Sequence, residues 1–540
     1  MHIQFLGGAT TVTGSQFLLT TDSARVLIDC GMFQGSPNES VRNRVPFGFE
    51  AGDLDAVVLT HAHLDHCGLL PLLVKAGFRG PIHATAGTVE LASLVLLDSG
   101  HLHEEFAKRE AKWERRNPDK VEADDAREAD TYRAALDLAA SGEARGHARG
   151  EHVETTIEPV ASPSAGDGTA WPRDPEADLR AQPPALDIDL DAPLYTVKDA
   201  ERALEHFRAI EYGEEREVAP GVWATFHDAG HILGSAIISL RVQEDGEERT
   251  IVCSGDLGRP GTPILRDPTA MAAADYVLVE STYGGREHEP SEEAIRILAE
   301  TVNLVDQANG VLLIPSFAIG RTQEVVWELD RLLERGEIPE LPLYLDSPMA
   351  SKASDIYRRY PAYYDEETGR LLRDGASPLD YPNQTVTRDY KASQAIARAP
   401  RPYMIVASNG MLTGGRVVGH LRNLIDDPDA TILFVGYQGQ GTLGAHLQAG
   451  AKTVRLDGRQ REVHCKVRSI SGFSAHADES ELLEWLRGFG AGRRPGDPGY
   501  PRRIFLVHGD PEAQVVLEPK VQALGYATHV PHWHERVTLD

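Results

Sequence analysis

The stretch LTHAHLDHCG, residues 59–68, carries three histidines and one aspartate within six consecutive positions. An apolar run, LDAVV, precedes it, and the sequence GLLPLLVKAGF that follows has the apolar spacing of a helix. The segment therefore predicts a buried strand, then a polar loop, then a helix. Three earlier strand patterns, HIQFLGG, SQFLLTT and ARVLIDCG, are bounded by turn residues. This alternation indicates a layered α/β domain.

The polar loop has the composition of a metal site. Successive side chains of a strand point to opposite faces, so His61 and His63 can project the same way from the strand end. Asp65 and His66 then lie in the turn that opens the helix. Two diverging ligand pairs favour two adjacent ions over one, and imidazole with carboxylate favours zinc, with manganese or iron as alternatives. A solvated histidine-rich loop is the competing interpretation, which so dense a cluster disfavours.

Length and composition describe an ordinary globular protein of more than one domain. The chain has 540 residues, 41% of them hydrophobic and 7% aromatic. Its N-terminus lacks a basic region followed by a long apolar run, and its apolar stretches are too short to span a bilayer, so we expect a cytoplasmic protein with no membrane partner. The cysteines are widely spaced, which predicts buried reduced thiols rather than disulfides or a cysteine zinc site. They are Cys30, Cys67, Cys253 and Cys465.

The formal net charge of −28 is an objection to a nucleic-acid function, because proteins that bind polyanions usually present basic surface to the phosphates. A local basic groove is still compatible with that total. Acidic surface residues also keep salt-adapted proteins soluble, so the negative charge can reflect a salt-rich environment rather than the kind of molecule that the protein binds. We therefore treat it as weak evidence against nucleic acid.

Two regions differ from the N-terminal pattern. Residues 104–191 begin as a charged, helical sequence, and residues 141–191 are rich in Pro, Ala, Gly and Asp. Such a composition cannot bury enough apolar surface to offset its ordering entropy, so we predict a mostly disordered insertion; a recruitment arm is the functional alternative. From Gly310 onward, three strand–loop–helix units follow one another. They predict a second α/β domain with a parallel sheet.

The motif H-x-H-x-D-H resembles the signature of the metallo-β-lactamase superfamily. Further pieces of that pattern follow in order, with Asp29 at the end of the third strand, His231 in DAGHILGSA and Asp256 in SGDLG. The resemblance implies that Asp29 orients a ligand histidine, as metal sites generally require. It implies one zinc held by His61, His63 and His231, a second held by Asp65 and His66, and a bridging Asp256.

The C-terminal half resembles the β-CASP group of RNA-processing nucleases within that superfamily. Three motifs carry the likeness: Glu280 in VESTYG, His476 in GFSAHAD and His508 in FLVHGD. Between the first two lie IPSFAIGRTQE, LDSPMA and ASNGMLTGGR, which look like the inserted domain of that group. The resemblance adds His508 to the ligands of the second metal.

The resemblance implies an α/β fold in which a metallo-β-lactamase αββα sandwich carries an inserted β-CASP α/β domain with a parallel sheet. Residues 1–275 are expected to form the N-terminal part of the sandwich, 276–457 the inserted domain, and 458–540 the C-terminal part. The stretch of about 104–191 departs from the family pattern. The role of this stretch therefore stays open, but the departure does not affect the residues expected to bind metal.

The implied activity is hydrolysis of phosphodiester bonds in single-stranded RNA, by endonuclease action, 5′-exonuclease action or both. Two Zn²⁺ ions per chain, with Mn²⁺ as the alternative, activate a water and neutralise phosphate charge in such sites. The resemblance implies catalytic roles for Asp65 and Asp256. It also implies that His476 protonates or stabilises the departing ribose oxygen, while Glu280 holds its other ring nitrogen and raises its pKa. A homodimer is an open alternative.

Four further residues are candidates for substrate binding. Ser347 precedes a proline, as at a helix N-terminus where a phosphate can rest on free amides, although an ordinary helix cap explains it equally well. Arg321, Gly410 and Arg416 stand in glycine-bearing loops that either hold the RNA backbone or only make turns.

Two other functions compete with a ribonuclease. A hydrolase of a small thioester or lactam needs the metal ligands but has no evident use for the second domain or for His476. A catalytically decayed RNA-binding scaffold is the non-enzymatic alternative, and the intact ligand set argues against decay.

Overall fold

The computed structural model describes residues 1–35, 37–141, 189–436, 438–439 and 441–540. The disorder predicted for residues 141–191 falls almost wholly outside them, whereas the charged sequence before it is helical, as predicted. The strands are β1 (His2–Gly7), β2 (Gln16–Thr20), β3 (Arg25–Ile28), β4 (Ala56–Val58), β5 (Ile82–Ala84), β6 (Phe207–Ala209), β7 (Glu215–Ala219), β8 (Val222–Asp228), β9 (Ala236–Glu244), β10 (Glu247–Cys253), β11 (Tyr276–Glu280), β12 (Val311–Pro315), β13 (Leu343–Leu345), β14 (Gln384–Val386), β15 (Tyr403–Ala407), β16 (Ala430–Phe434), β17 (Thr453–Leu456), β18 (Arg459–Glu462), β19 (Lys466–Ser469), β20 (Arg503–Val507), β21 (Thr528–His529) and β22 (Arg536–Thr538).

The α-helices are α1 (Pro37–Ser40), α2 (Leu64–Cys67), α3 (Leu70–Lys75), α4 (Ala86–Glu114), α5 (Pro118–Ser141), α6 (Val197–Leu204), α7 (Ser291–Gln307), α8 (Arg321–Glu334), α9 (Pro348–Arg359), α10 (Glu366–Arg373), α11 (Tyr390–Ala395), α12 (Arg416–Leu424), α13 (Leu443–Gln448), α14 (Glu479–Gly490) and α15 (Pro511–Ala523). Short 3-10 helices lie at Val41–Arg44, Ala51–Asp53, Pro361–Tyr363 and Ile396–Arg398. No helix in the described ranges combines the length and apolar character that a membrane crossing needs.

Two seven-stranded sheets form a sandwich. Their strand orders are β22-β1-β2-β3-β4-β5-β6 and β21-β20-β11-β10-β9-β8-β7. Alternate side chains of both sheets meet in one buried cluster, in which Phe5, Phe17 and Val58 of the first sheet accompany Phe226, Leu240 and Phe505 of the second. Helices α3, α4 and α6 cover the outer face of the first sheet, and α14 and α15 cover that of the second. The predicted αββα sandwich is confirmed.

A third, six-stranded sheet has the order β14-β13-β15-β12-β16-β19, and all its neighbouring strands are parallel. Its inner strands β12, β15 and β16 are wholly buried because α7 and α8 pack on one face while α12 and α13 pack on the other, whereas the edge strands β14 and β19 are partly exposed. This confirms the predicted second α/β domain with a parallel sheet.

The predicted domain boundaries stay predictions. Strand β11, which begins directly after position 275, belongs to the second sandwich sheet. Strand β19, which begins after position 457, belongs to the third sheet. All four cysteines are buried free thiols, as expected.

The topology gathers polar loops at one edge of the sandwich. Strands β10, β11 and β20 run parallel in register, so their carboxyl ends meet side by side. Asp256 follows β10, Glu280 ends β11 and His508 follows β20. In the facing sheet, β3 and β4 are also parallel, and they deliver Asp29 and His61 to the same edge.

Candidate metal centre

One group of ligand atoms surrounds His63. Its Nδ1 lies 3.1 Å from His61 Nε2 and 3.1 Å from His231 Nε2. Asp256 Oδ2 completes the group, 3.4 Å from His61 Nε2 and 3.6 Å from His231 Nε2. These four side chains come from three separate loops of the chain, yet each offers one ligand atom within 4.8 Å of the others. That spacing is suited to a single ion.

A second group shares Asp256 with the first. His66 Nε2 lies 3.1 Å from His508 Nε2, and His508 Nε2 lies 3.6 Å from Asp65 Oδ2. The other oxygen of Asp256, Oδ1, faces His66 Nε2 at 3.2 Å. Asp256 therefore points one oxygen at each group, which is the geometry of a bridging carboxylate.

The donor set fits divalent cations. Several ring nitrogens converge at about 3 Å, and each neutral imidazole has one nitrogen with a lone pair that a cation between the rings can accept. Asp256 Oδ1 is buried and has no hydrogen-bond partner among the described residues, although such atoms are nearly always satisfied. Nitrogen and carboxylate donors without thiolate match zinc. Within the described ranges, the two groups together have the ligands for two ions.

The electrostatics of the first group favour neutral imidazoles, the form that binds metal. Burial lowers the pKa of His63 to about 3, with a further contribution from His61. Burial and the neighbouring imidazoles also lower the pKa values of His61 and His231, against the opposing effect of Asp256. Burial opposes ionisation of Asp256 too, but the facing His508, His66 and His61 hold its pKa well below the usual range.

Asp29, which the resemblance assigns to a ligand histidine, contacts His66. Its Oδ2 accepts a hydrogen bond from His66 Nδ1 at 2.7 Å, so that Nε2 faces the second group. The same carboxylate accepts hydrogen bonds from the backbone amide and the hydroxyl of Thr60. Gly31 allows the loop to close tightly, because a Cβ at this position would lie 1.6 Å from the carbonyl oxygen of Asp65.

The loop of residues 229–235, called here the His231 loop, fixes the remaining histidine. The Ser235 hydroxyl accepts hydrogen bonds from the amides of His231 and Ile232. His231 Nδ1 donates to the carbonyl of Ala475 at 3.0 Å, which leaves Nε2 directed at His63. The orientation of this ligand therefore depends on contacts from outside its own loop.

Glu280 and His476 form a pair beside Asp256. His476 Nδ1 lies 3.1 Å from Glu280 Oε2 and 4.0 Å from Asp256 Oδ2. Glu280 is buried and its Oε1 accepts a hydrogen bond from the amide of Leu257, so its position is fixed. Burial alone would lower the pKa of His476, but the charge and hydrogen bond of Glu280 raise that pKa to about 9. The His476 side chain is 21% exposed and accessible to a ligand.

Two residues that the sequence did not single out hold the loop of His476. Arg259 is buried, and its guanidinium donates to the carbonyl of Gly472 and to Glu481. His288 Nε2 donates to the carbonyl of His476 itself at 3.1 Å. Arg259 lies three residues after Asp256 in SGDLGR, but nothing in that short sequence indicates its distant partners.

The candidate substrate-binding residues lie at the carboxyl end of the third sheet. Ser347 caps α9, and its hydroxyl accepts from the amide of Ala350. Arg416 donates to buried Asp346 at 2.7 Å and to two backbone carbonyls, while buried Arg321 pairs with Glu324. Both arginines thus already have internal partners. Gly410 accepts a hydrogen bond from Gln438 through its carbonyl. RNA binding by these four residues stays a prediction.

Three family models match the chain. That of the metallo-β-lactamase superfamily matches residues 9–132, and that of the Beta-Casp domain matches residues 322–447. The third, described as the Zn-dependent metallo-hydrolase RNA specificity domain, matches residues 460–531.

Known full-length proteins resemble the chain throughout. Ribonuclease TTHA0252 of Thermus thermophilus is 34% identical over 539 residues, and the match covers 100% of both chains. Transcription termination factor FttA of Methanosarcina mazei is 30% identical over 96% of this chain and 69% of its own length. The protein of the same name from Pyrococcus horikoshii is 30% identical over 100% of this chain and 71% of its own length.

Proposed function

This chain belongs to the β-CASP group of the metallo-β-lactamase superfamily, and on that premise we propose that it is a zinc-dependent ribonuclease acting on single-stranded RNA. The group consists of metal-dependent hydrolases, so the chain is such an enzyme. The end-to-end match with the Thermus ribonuclease favours that activity over termination, because the termination factors are matched over about 70% of their length. Since RNA is the proposed substrate, we also propose a cytoplasmic location.

One observation carries the proposal: Asp256 directs one carboxylate oxygen at each of two ligand groups, and the Glu280–His476 pair stands directly beside it. The seven proposed ligands are His61, His63, Asp65, His66, His231, Asp256 and His508. Two bound Zn²⁺ ions would activate the attacking water and neutralise the charge that develops on the phosphate. A lactam or thioester hydrolase has no comparable use for a protonated histidine beside the metal ligands.

His476 is proposed to donate the proton that the departing ribose oxygen requires. Its Nδ1 faces Glu280, so Nε2 is the nitrogen that would carry that proton. A pKa near 9 keeps the ring protonated at neutral pH, the form that a general acid needs. Glu280 acts through His476 by fixing the ring and its charge, and it is therefore a positioning residue.

The proposal is tested with RNA labelled at its 5′ end, with and without a 5′-monophosphate. We expect cleavage by the purified protein, loss of cleavage after chelation and recovery with Zn²⁺. Asp256→Ala is expected to abolish cleavage, because it removes the carboxylate that both groups share. Asp306→Ala, on the exposed face of α7, is the matched control and should cleave normally.

Product lengths separate the two modes of action, since mononucleotides indicate an exonuclease and internal fragments an endonuclease. Full cleavage of RNA by metal-free protein would contradict the proposal. So would full activity of Asp256→Ala with the fold intact by circular dichroism.

A further inference from the structure

The His231 loop is anchored by the sandwich on one side. The Thr85 and Thr88 hydroxyls, at the N-terminus of α4, donate to the carbonyl of Gly234 at 2.6 and 2.8 Å. Ser235 satisfies two amides of the loop, as described above. These anchors leave the amide of Leu233 to be satisfied by another partner, since Leu233 is fully buried.

That partner comes from the inserted domain. The hydroxyl of Tyr357, on α9, accepts a hydrogen bond from the Leu233 amide at 3.1 Å. Tyr357 is 1% exposed, so solvent cannot replace its hydroxyl in this packing. Gly320, at the N-terminus of α8, packs against the neighbouring Ile232, and a Cβ on this glycine would lie 2.9 Å from Ile232 Cγ2. The inserted domain therefore contacts two consecutive residues that follow the ligand His231.

We propose that Tyr357 is a positioning residue that couples docking of the inserted domain to metal binding at the first ligand group. The inference rests on the proposed function, because it assigns metal ions to these ligands. Separation of α9 from the sandwich breaks the hydrogen bond to Leu233 and frees one side of the His231 loop. By reciprocity of binding free energies, a metal held by His231 in turn favours the docked domain.

The neighbouring Tyr364 provides a matched control. Its hydroxyl donates to the carbonyl of Tyr357 at 2.7 Å, and its ring lies in the same buried cluster. Tyr364→Phe thus removes one buried hydrogen bond from the same helix without removing an anchor of the His231 loop. A purely structural role for Tyr357 predicts that both phenylalanine variants behave alike.

The experiment compares wild type, Tyr357→Phe and Tyr364→Phe after removal of metal, by titration with Zn²⁺ against a chromophoric chelator. We expect Tyr357→Phe to bind one of the two ions about tenfold more weakly, at the low end of the losses seen when a supporting partner of a metal ligand is removed. The other ion should bind as in wild type, and Tyr364→Phe should bind both normally. Hydrogen exchange in the zinc-loaded proteins should show faster exchange of the Leu233 amide only in Tyr357→Phe.

Equal zinc affinities for Tyr357→Phe and wild type would overturn this inference alone and leave the proposed function standing. An equal loss in Tyr364→Phe would do the same. A wild-type protein that binds no zinc would overturn the proposed function together with the inference.

Discussion

At the scale of single residues, the chemistry depends on which histidine nitrogens are free. The Nδ1 atoms of His476, His231 and His66 are engaged by Glu280, Ala475 and Asp29, and the Nε2 atoms of the last two face other proposed ligands. Carboxylates raise the pKa values of both His476 and His66 against the effect of burial, but of these three histidines only His476 is partly exposed. This distinction separates a proton donor from the ligands.

His476→Ala is therefore expected to slow RNA cleavage by about 10²- to 10⁴-fold, the usual contribution of a general acid or base. Its metal content should equal that of wild type, because no ligand is removed. Single-turnover cleavage and elemental analysis of the same preparation provide the two readouts. Loss of a metal ion in the variant would instead identify His476 as a ligand.

Four of the proposed ligands could be identified from the sequence because they lie within six positions of one loop, namely His61, His63, Asp65 and His66. His231, Asp256 and His508 required the ordered family pattern, since an isolated histidine or aspartate carries no such signal. Arg259 and Tyr357 could not be found in this way. Their roles depend on partners 100 residues or more away, to which no local spacing points.

At the scale of elements, α8 carries an unusual buried carboxylate. Glu328 is 4% exposed, and its Oε2 has no hydrogen-bond partner in the described part of the chain. Burial, with the charge of Glu324, raises the pKa of Glu328 to about 8. Folding therefore favours the protonated acid, and ionisation above that pH opposes the fold.

The expected consequence is a pH-dependent stability with a definite sign. The folded pKa of Glu328 lies above its ordinary value of 4.5, so the stabilising effect of the protonated acid is complete below pH 4.5 and is lost as the pH rises through about 8. Glu328→Gln stays neutral and should unfold less readily than wild type at about pH 8.5, by on the order of a few kcal/mol. Urea unfolding at about pH 5 and pH 8.5 measures the difference. Glu292→Gln, exposed on α7, serves as the control, and an equal pH response in both variants would contradict the prediction.

At the scale of the whole molecule, the sandwich and the inserted domain share a hydrophobic cluster. Leu91 and Val95 of α4 belong to the same buried cluster as Ile319, Ile356 and Tyr357 of the inserted domain. Most of the proposed metal ligands are buried, whereas His476 is partly exposed. If the proposed function holds, a centre buried in this way is reached by a flexible single strand and not by the wider A-form duplex.

The protein is accordingly expected to cleave a single strand much faster than the same strand annealed to its complement, by roughly tenfold or more if unpaired RNA is what reaches the centre. Initial rates on one 5′-labelled oligonucleotide, alone and annealed, measure the ratio. Equal cleavage rates for the single strand and the duplex would contradict the prediction, because the duplex would then have to reach the metal centre as well.

By itself the sequence determined a layered α/β domain, a second domain with a parallel sheet and the ligand-rich loop at residues 61–66, because strand and helix periodicity and ligand spacing are local properties of the chain. The αββα arrangement of the first domain was implied by the family resemblance. Only the tertiary structure decided that Arg416 and Arg321 have internal partners and that Tyr357 reaches the His231 loop. Such contacts join segments that are far apart in the sequence, and no local sequence pattern indicates that they meet. Their geometry is set by how the three sheets pack against one another.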